Sequence, residues 1–488
     1  MQVKTLLLVR VTSAVDKVDH PQFFDPPYAL KSIQARLQKD QDVTVHLLDC
    51  WIHPMDVSGL RAHTAGIRPD LIVISSSSFD VQVANGFVAS VKKDKNAPLV
   101  IGVGQSHYLN RNVRDARERG YDAILLGEPE QEFFQLFDRI RAGGRVEGVP
   151  PSDRRQDARD IPGADWRQHY WKCYEEGQRF AVEDPDSLAF PTYTSEELES
   201  YRSIFPVRVP QRVVWGYLIA TRGCPHGCVF CSEVMRVSIG RKMRSRSAAN
   251  VADEMEHLGR QGVNICSFQD DSFSADRRFV RALCEELAGR NSKMPWMARV
   301  RVDELDYEML VMMKKAGCVM LGLGVESGSQ RIIEQMQKQY HPKPWGDLCR
   351  QVFRWTRQLG IGTNAYYVIG NPTETREEIE QTIRLALELN SDTIQVHFYT
   401  PYPGSVAWER HKDIIARYDP TQMFHYATPM FTLADVSIED LVKLRSQFYR
   451  RYIFRLGFGI PHMWKHAGFY WHNPDIFGSL LGIRKIFR

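Results

Sequence analysis

The chain has 488 residues, 43% of them hydrophobic and 25% charged, with a formal net charge of +4. That length supports two or three domains with full cores, and the mild charge does not call for a nucleic-acid partner. No run of eighteen apolar residues is present, so no transmembrane segment is expected. Of the nine cysteines, six are scattered singly among apolar or helical stretches. This usage fits reduced, buried thiols in a cytoplasmic protein rather than a disulfide framework. The apolar run from Leu6 to Val9 is cut off by Arg10, too short for a signal peptide and better suited to a first strand.

Residues 1–145 alternate short apolar runs with helical patterns. Strands are predicted at Thr5–Val11, Val43–Leu48, Leu71–Ser75, Leu99–Val103 and Ala123–Leu126. Helices are predicted near Tyr28–Gln38, Val81–Lys92, Arg111–Arg119 and Glu130–Arg141. Strand and helix in alternation imply a parallel sheet covered on both faces, an α/β, doubly wound, flavodoxin-like (Rossmann-type) domain. Ligands of such folds sit beyond the carboxyl ends of the strands. Ser75 through Ser78, Gly102 and Gly104, and Gly127 with Glu128 stand there, and the small residues allow close approach to the backbone. From 146 to 210 the rhythm breaks and prolines recur, so this stretch reads as a connecting strap. Trp166, Tyr170, Trp171 and Tyr174 are expected to pack it against a domain face.

The run Thr221-Arg-Gly-Cys224-Pro-His-Gly-Cys228-Val-Phe-Cys231 places three cysteines at spacings of three and then two intervening residues. Such a loop can supply thiolates to three corners of an iron–sulfur cube, leaving the fourth iron open. The alternative is a structural zinc loop completed by His226 or a distant cysteine, although zinc sites usually pair two separated ligand couples. Around the loop, residues 211–405 resume the βα alternation. Strands are predicted at Val213–Ala220, Ile265–Gln269, Trp296–Arg299, Met320–Val325, Gly362–Ile369 and Thr393–Tyr399. These units suit a partial, TIM-type (β/α)6 barrel with its chemistry at the strand carboxyl ends. Residues 406–488 lose that rhythm. A helix is predicted over Val436–Tyr452, followed by mixed basic and aromatic residues that suit a helical cap over the open barrel or a peripheral membrane contact.

Three cysteines at this spacing, Phe230 before the third, and the βα series behind them resemble the radical SAM family. The phrases Asp270-Asp-Ser-Phe, Arg301-Val-Asp303, Gly322-Leu-Gly-Val-Glu326-Ser327 and Ile369-Gly370-Asn-Pro extend the likeness. The resemblance implies a [4Fe-4S] cluster on Cys224, Cys228 and Cys231. It implies S-adenosylmethionine (SAM) bound at the open iron and lined by Phe230, Asp270, Arg301, Glu326, Ser327, Ile369 and Gly370. Arg301 and Asp303 have a duller alternative as a surface pair, and Glu374 is expected to start a helix rather than touch a ligand. The first 145 residues resemble the cobalamin-binding domain that precedes many radical SAM domains, through Pro26-Pro-Tyr-Ala-Leu, Arg68-Pro-Asp-Leu-Ile-Val-Ile-Ser75 and Asp122-Ala-Ile-Leu-Leu-Gly127-Glu128. The Asp-x-His-x-x-Gly signature of methionine-synthase-like domains is absent, so no histidine is marked as a cobalt ligand.

Together these modules imply a cobalamin-dependent radical SAM methyltransferase that alkylates an unactivated carbon through a 5′-deoxyadenosyl radical and methylcobalamin. Cyclisation, ring rearrangement or oxidation without methyl transfer is a second reading, and a non-catalytic corrinoid or redox sensor a third. The implied partners are a small-molecule or lipid-like substrate and an electron donor such as flavodoxin or ferredoxin.

Overall fold

The computed structural model describes residues 3–12, 26–76, 80–103, 113–142, 166–176, 178–201, 207, 212–231, 241–402, 405–418, 423, 429–455, 464 and 466–472. Ser78 and Gly104 lie outside the described residues. The described chain forms two compact units, one ending at Thr192 and the other beginning at Tyr193.

The first unit runs β1 (Thr5–Arg10), α1 (Tyr28–Leu37), β2 (Thr44–Asp49), α2 (Val57–Ile67), β3 (Leu71–Ser75), α3 (Val81–Val91), β4 (Leu99–Val103), α4 (Val113–Arg119), β5 (Ala123–Gly127) and α5 (Pro129–Arg141). Helix α6 (Trp166–Glu175) and strand β6 (Arg179–Phe180) complete it. The strands pair in the order β2-β1-β3-β4-β5-β6, all in parallel. This is the flavodoxin-like order, with its switch point between β1 and β3. Alternate strand residues face opposite ways. Leu6, Leu8, Leu71 and Val73 pack with α1 and α5. Leu7, Val9, Ile72 and Ile74 pack with α2 and α3. Helix α6 sends Trp166 and Tyr170 to the first of these cores and Trp171 and Tyr174 to the second. The aromatic part of the expected strap is thus core of this unit.

The second unit contains α7 (Ser195–Ser200), β7 (Trp215–Leu218), the short hairpin partners β8 (Thr221–Arg222) and β9 (Arg244–Ser245), α8 (Ala248–Arg260), β10 (Ile265–Phe268) and α9 (Arg277–Gly289). It continues through β11 (Trp296–Arg301), α10 (Tyr307–Lys315), β12 (Cys318–Glu326), α11 (Gln330–Gln335), α12 (Trp345–Leu359), β13 (Gly362–Ile369), α13 (Arg376–Leu389) and β14 (Thr393–Phe398). Short helices α14 (Val406–Arg410) and α15 (Lys412–Ile415) precede the long α16 (Ile438–Ile453). Six parallel strands form a half-barrel sheet in the order β14-β13-β12-β11-β10-β7, open at β7 and β14. One face is apolar: Phe268, Trp296, Leu321, Leu323, Ala365 and Tyr367 pack against the surrounding helices. The strand register places Tyr217, Ser267, Arg299, Gly322, Asn364, Tyr366 and Gln395 on the other face, which is polar. Helix α16 contributes Leu441, Leu444, Phe448 and Tyr452 to the core, while Phe454, Trp464 and Trp471 are exposed.

Candidate metal centre

The cysteine loop follows β7 and is fastened at several points. Asp270, just beyond β10, accepts hydrogen bonds from the backbone N–H groups of Ala220 (2.9 Å) and Thr221 (2.8 Å) and from the Thr221 hydroxyl (2.7 Å). β8 pairs antiparallel with β9, matching Thr221 to Ser245 and Arg222 to Arg244. Further along, Val229 N–H donates to the Met336 carbonyl (3.0 Å), and the Val229 carbonyl accepts from Ala407 N–H (2.9 Å). Gly227 N–H donates to the Tyr340 hydroxyl at 3.0 Å. Cys224 and Cys228 are buried and Cys231 is half-buried, and none of the three is in a disulfide.

One of these sulfurs has a cationic neighbour. Arg301, the last residue of β11, directs NH1 to Cys228 Sγ at 3.2 Å. Its other side is clamped by Asp303, with Nε at 3.0 Å and NH2 at 2.8 Å. NH2 also reaches the Lys338 carbonyl. Both partners are buried, so the surface-pair alternative does not describe them. Burial works against the guanidinium charge, and the Asp303 carboxylate outweighs it, holding Arg301 above its usual value.

Glu326 ends β12 with φ of +64°. Its Oε1 accepts from Lys338 Nζ at 2.9 Å, and both side chains are 8% exposed. Burial again opposes the Lys338 charge, and Glu326 overrides it, so the ammonium stays above its ordinary value. A Cβ on Gly324 would stand 2.5 Å from Glu326 Oε1 and 2.8 Å from Lys338 Nζ, so the glycine leaves the room that the pair fills. Lys338 was not singled out in the sequence, because nothing in its local pattern distinguishes it from a solvated lysine.

His226 meets Glu304 through Nε2, and Glu304 also accepts from Ser272 (2.9 Å) and from Ser274. Burial would raise the Glu304 carboxyl, but these donors hold it below its ordinary value. A mononuclear zinc would need its donors to converge on one point at about 2.0–2.3 Å. Among the described residues, no three His, Cys, Asp or Glu side chains do so. A cube spreads three thiolates over three irons, and the Arg301 guanidinium beside Cys228 suits one such anionic ligand.

Asp270, Ser327 and Glu128, assigned to ligands in the sequence, also bond within the protein. Asp270 holds the loop, with burial pushing its carboxyl up to about 6. Ser327 shares a hydrogen bond with Thr382 of α13 at 3.1 Å and accepts from Ser329 N–H at 3.2 Å. Glu128 accepts from Val182 N–H at 2.7 Å and is 1% exposed, which ties it to the segment after β6. Phe230 packs beside the core of the second unit. Ile369 is buried at the end of β13. Gly370 follows at φ of +83° and donates to Glu374 Oε2 at 2.7 Å. Glu374 also accepts from Asn371 N–H at 2.9 Å, so it closes this turn, and the helix after it is capped by Thr375. In the first unit, Ser75 and Gly127 end β3 and β5, and Gly102 lies within β4.

Residues 218–386 match the Radical SAM superfamily. Over 91% of its length the chain is 25% identical to an uncharacterized methyltransferase of Pyrococcus horikoshii, covering 91% of that protein. It is 23% identical to the anaerobic magnesium-protoporphyrin IX monomethyl ester cyclase of Rubrivivax gelatinosus, over 89% of this chain and 74% of the cyclase. Its fold is similar to that of the radical S-adenosylmethionine methyltransferase TsrM from Kitasatospora setae, solved with cobalamin and a [4Fe-4S] cluster bound. The TM-score is 0.62 at 18% identity, covering 85% of this chain and 75% of TsrM.

Proposed function

We propose that this chain, whose residues 218–386 match the Radical SAM superfamily, is a cobalamin-dependent radical SAM methyltransferase acting on an unactivated carbon. The observation that carries the reading is the three-thiol loop fastened at the carboxyl end of a half-barrel, with Arg301 against Cys228 Sγ at 3.2 Å. Cys224, Cys228 and Cys231 would hold the [4Fe-4S] cluster. Arg301 and Glu326, with Phe230, Ile369 and Gly370 nearby in the second unit, would hold SAM. Ser75, Gly102 and Gly127, with Ser78 and Gly104, would border the corrinoid. When bound, the cluster with SAM supplies one-electron chemistry and the corrinoid a transferable methyl group.

The chain's own residues place and shield. Asp270 fixes the start of the loop, and Ser327 fixes the chain beyond Glu326 by its bond to α13. Arg301 balances the charge of the thiolates. Burial of these groups excludes water from the site. This route requires no side-chain acid or base.

The similarity to the cyclase favours a second reading, ring formation with the same cofactors and no methyl transfer. Anaerobic incubation with SAM, reductant and hydroxocobalamin separates the two once a substrate is supplied. S-adenosylhomocysteine together with 5′-deoxyadenosine and a product one methyl heavier supports the methyltransferase; deoxyadenosine without the homocysteine product supports the cyclase. The first test needs no substrate. Protein isolated without oxygen should carry about four irons and a corrinoid. Cys224→Ala, Cys228→Ala or Cys231→Ala should lose the iron and SAM cleavage yet keep the corrinoid. Retained cleavage in any of the three overturns the assignment.

A flavodoxin or ferredoxin would supply electrons, and the free thiols and oxygen-sensitive centre suit the cytoplasm. The exposed Phe454, Trp464 and Trp471 suit contact with a lipid-like substrate or a membrane surface. No helix among the described residues is long and apolar enough to cross a membrane.

A further inference from the structure

The buried pair Glu326–Lys338 has a physical effect separate from ligand contact. It lies beside Arg301, which binds Cys228 Sγ through NH1 and the Lys338 carbonyl through NH2. Cys228 and Arg301 both act electrostatically on the Lys338 ammonium. The two charges are opposite, buried and 2.9 Å apart. Removing either one leaves the other unbalanced, and where it keeps its charge its field reaches its neighbours with less screening than in water.

We propose that Glu326 and Lys338 are positioning residues that set the reduction potential of the cluster held by Cys224, Cys228 and Cys231, through opposed buried charges held in the space left by Gly324. The inference rests on the cluster assignment above. One-electron reduction adds one negative charge to the cluster. A neighbouring ammonium stabilises the reduced form, and a neighbouring carboxylate destabilises it. With both present, the two fields oppose each other, and the potential is held between the values that either charge alone would set.

The test is a potentiometric EPR titration of anaerobically reconstituted protein, with dithionite as reductant and without SAM, after iron and sulfide are matched between variants. Lys338→Met should move the midpoint to more negative potential. Glu326→Gln should move it to more positive potential. Each shift should change the reduced-to-oxidised ratio at fixed potential at least tenfold, about 59 mV for one electron. The double variant Glu326→Gln/Lys338→Met should return close to the wild-type value, and Lys338→Arg should keep it. A merely structural role predicts no sign reversal between the two single variants. Unchanged midpoints, or shifts of both single variants in one direction, overturn the inference while the cluster assignment stands. Wild-type protein without iron overturns both. If Lys338→Met fails to hold the cluster, the signs of Glu326→Gln and of the double variant decide.

Discussion

Gly223 precedes the first cysteine with φ of +95°, and a Cβ there would stand 2.3 Å from the Lys242 carbonyl oxygen. Gly223→Ala therefore adds about 1–3 kcal/mol of backbone strain, on top of a clash with main chain that has no rotamer to yield. The expected outcome is lower iron content after anaerobic reconstitution with little change in far-UV circular dichroism. Wild-type iron loading in this variant would show that the loop tolerates another path. The three cysteines could be read from sequence because their spacing is local. Lys338 could not, because its meaning lies in Glu326, twelve residues back, and in the room that Gly324 leaves. Asp270 was expected from the sequence to line the SAM site, but its contacts with Ala220 and Thr221 come from strand adjacency, which residue types alone do not reveal.

At the turn from β13 to α13, Glu374 folds its carboxylate onto Gly370 and Asn371. Burial pushes this carboxyl up to about 7 from an ordinary 4.5. The folded state thus binds the proton more tightly than the unfolded chain. The stabilisation from this group is full below about pH 4.5 and is lost as pH rises through about 7, a change of roughly 3 kcal/mol. Glu374→Gln, which mimics the protonated form, should flatten that part of the fall in urea midpoint between about pH 4.5 and 7; an unaltered slope would mean that Glu374 does not titrate there. A second element-level lock is Trp345 of α12, whose indole N–H donates to the Val325 carbonyl at 2.7 Å, next to Glu326. Trp345→Phe removes that bond, leaving the carbonyl its other donor, the Ser327 N–H at 2.8 Å, and should cost about 0.5–1.5 kcal/mol, read as a lower urea midpoint. The long strands were predicted within two residues because apolar runs between helical patterns are strong signals. The two-residue strands β6, β8 and β9 were not predicted, since so few residues carry no periodicity.

At the scale of the whole molecule, the chain holds two compact units with separate cores. Calorimetry should resolve two transitions. Hydroxocobalamin should raise one, and SAM with the reconstituted cluster the other, each by mass action on its own native unit. A single transition shifted equally by both ligands would mean that the units unfold together. The two parallel sheets were legible because βα alternation stops and restarts. The join was not, because aromatic residues between proline-rich pieces gave no indication that α6 would enter the cores of the first unit.

The fastening of the cysteine loop has a consequence for how the protein matures. Asp270, the β8–β9 pairing and the bonds of Val229 to Met336 and Ala407 fix the loop through main-chain and carboxylate contacts, none of which involves a thiol. The polypeptide can therefore finish folding first and receive its inorganic cargo afterwards. An apoprotein emptied by a chelator should keep its protease resistance and refill without passing through the unfolded chain, which places metal delivery last in its assembly.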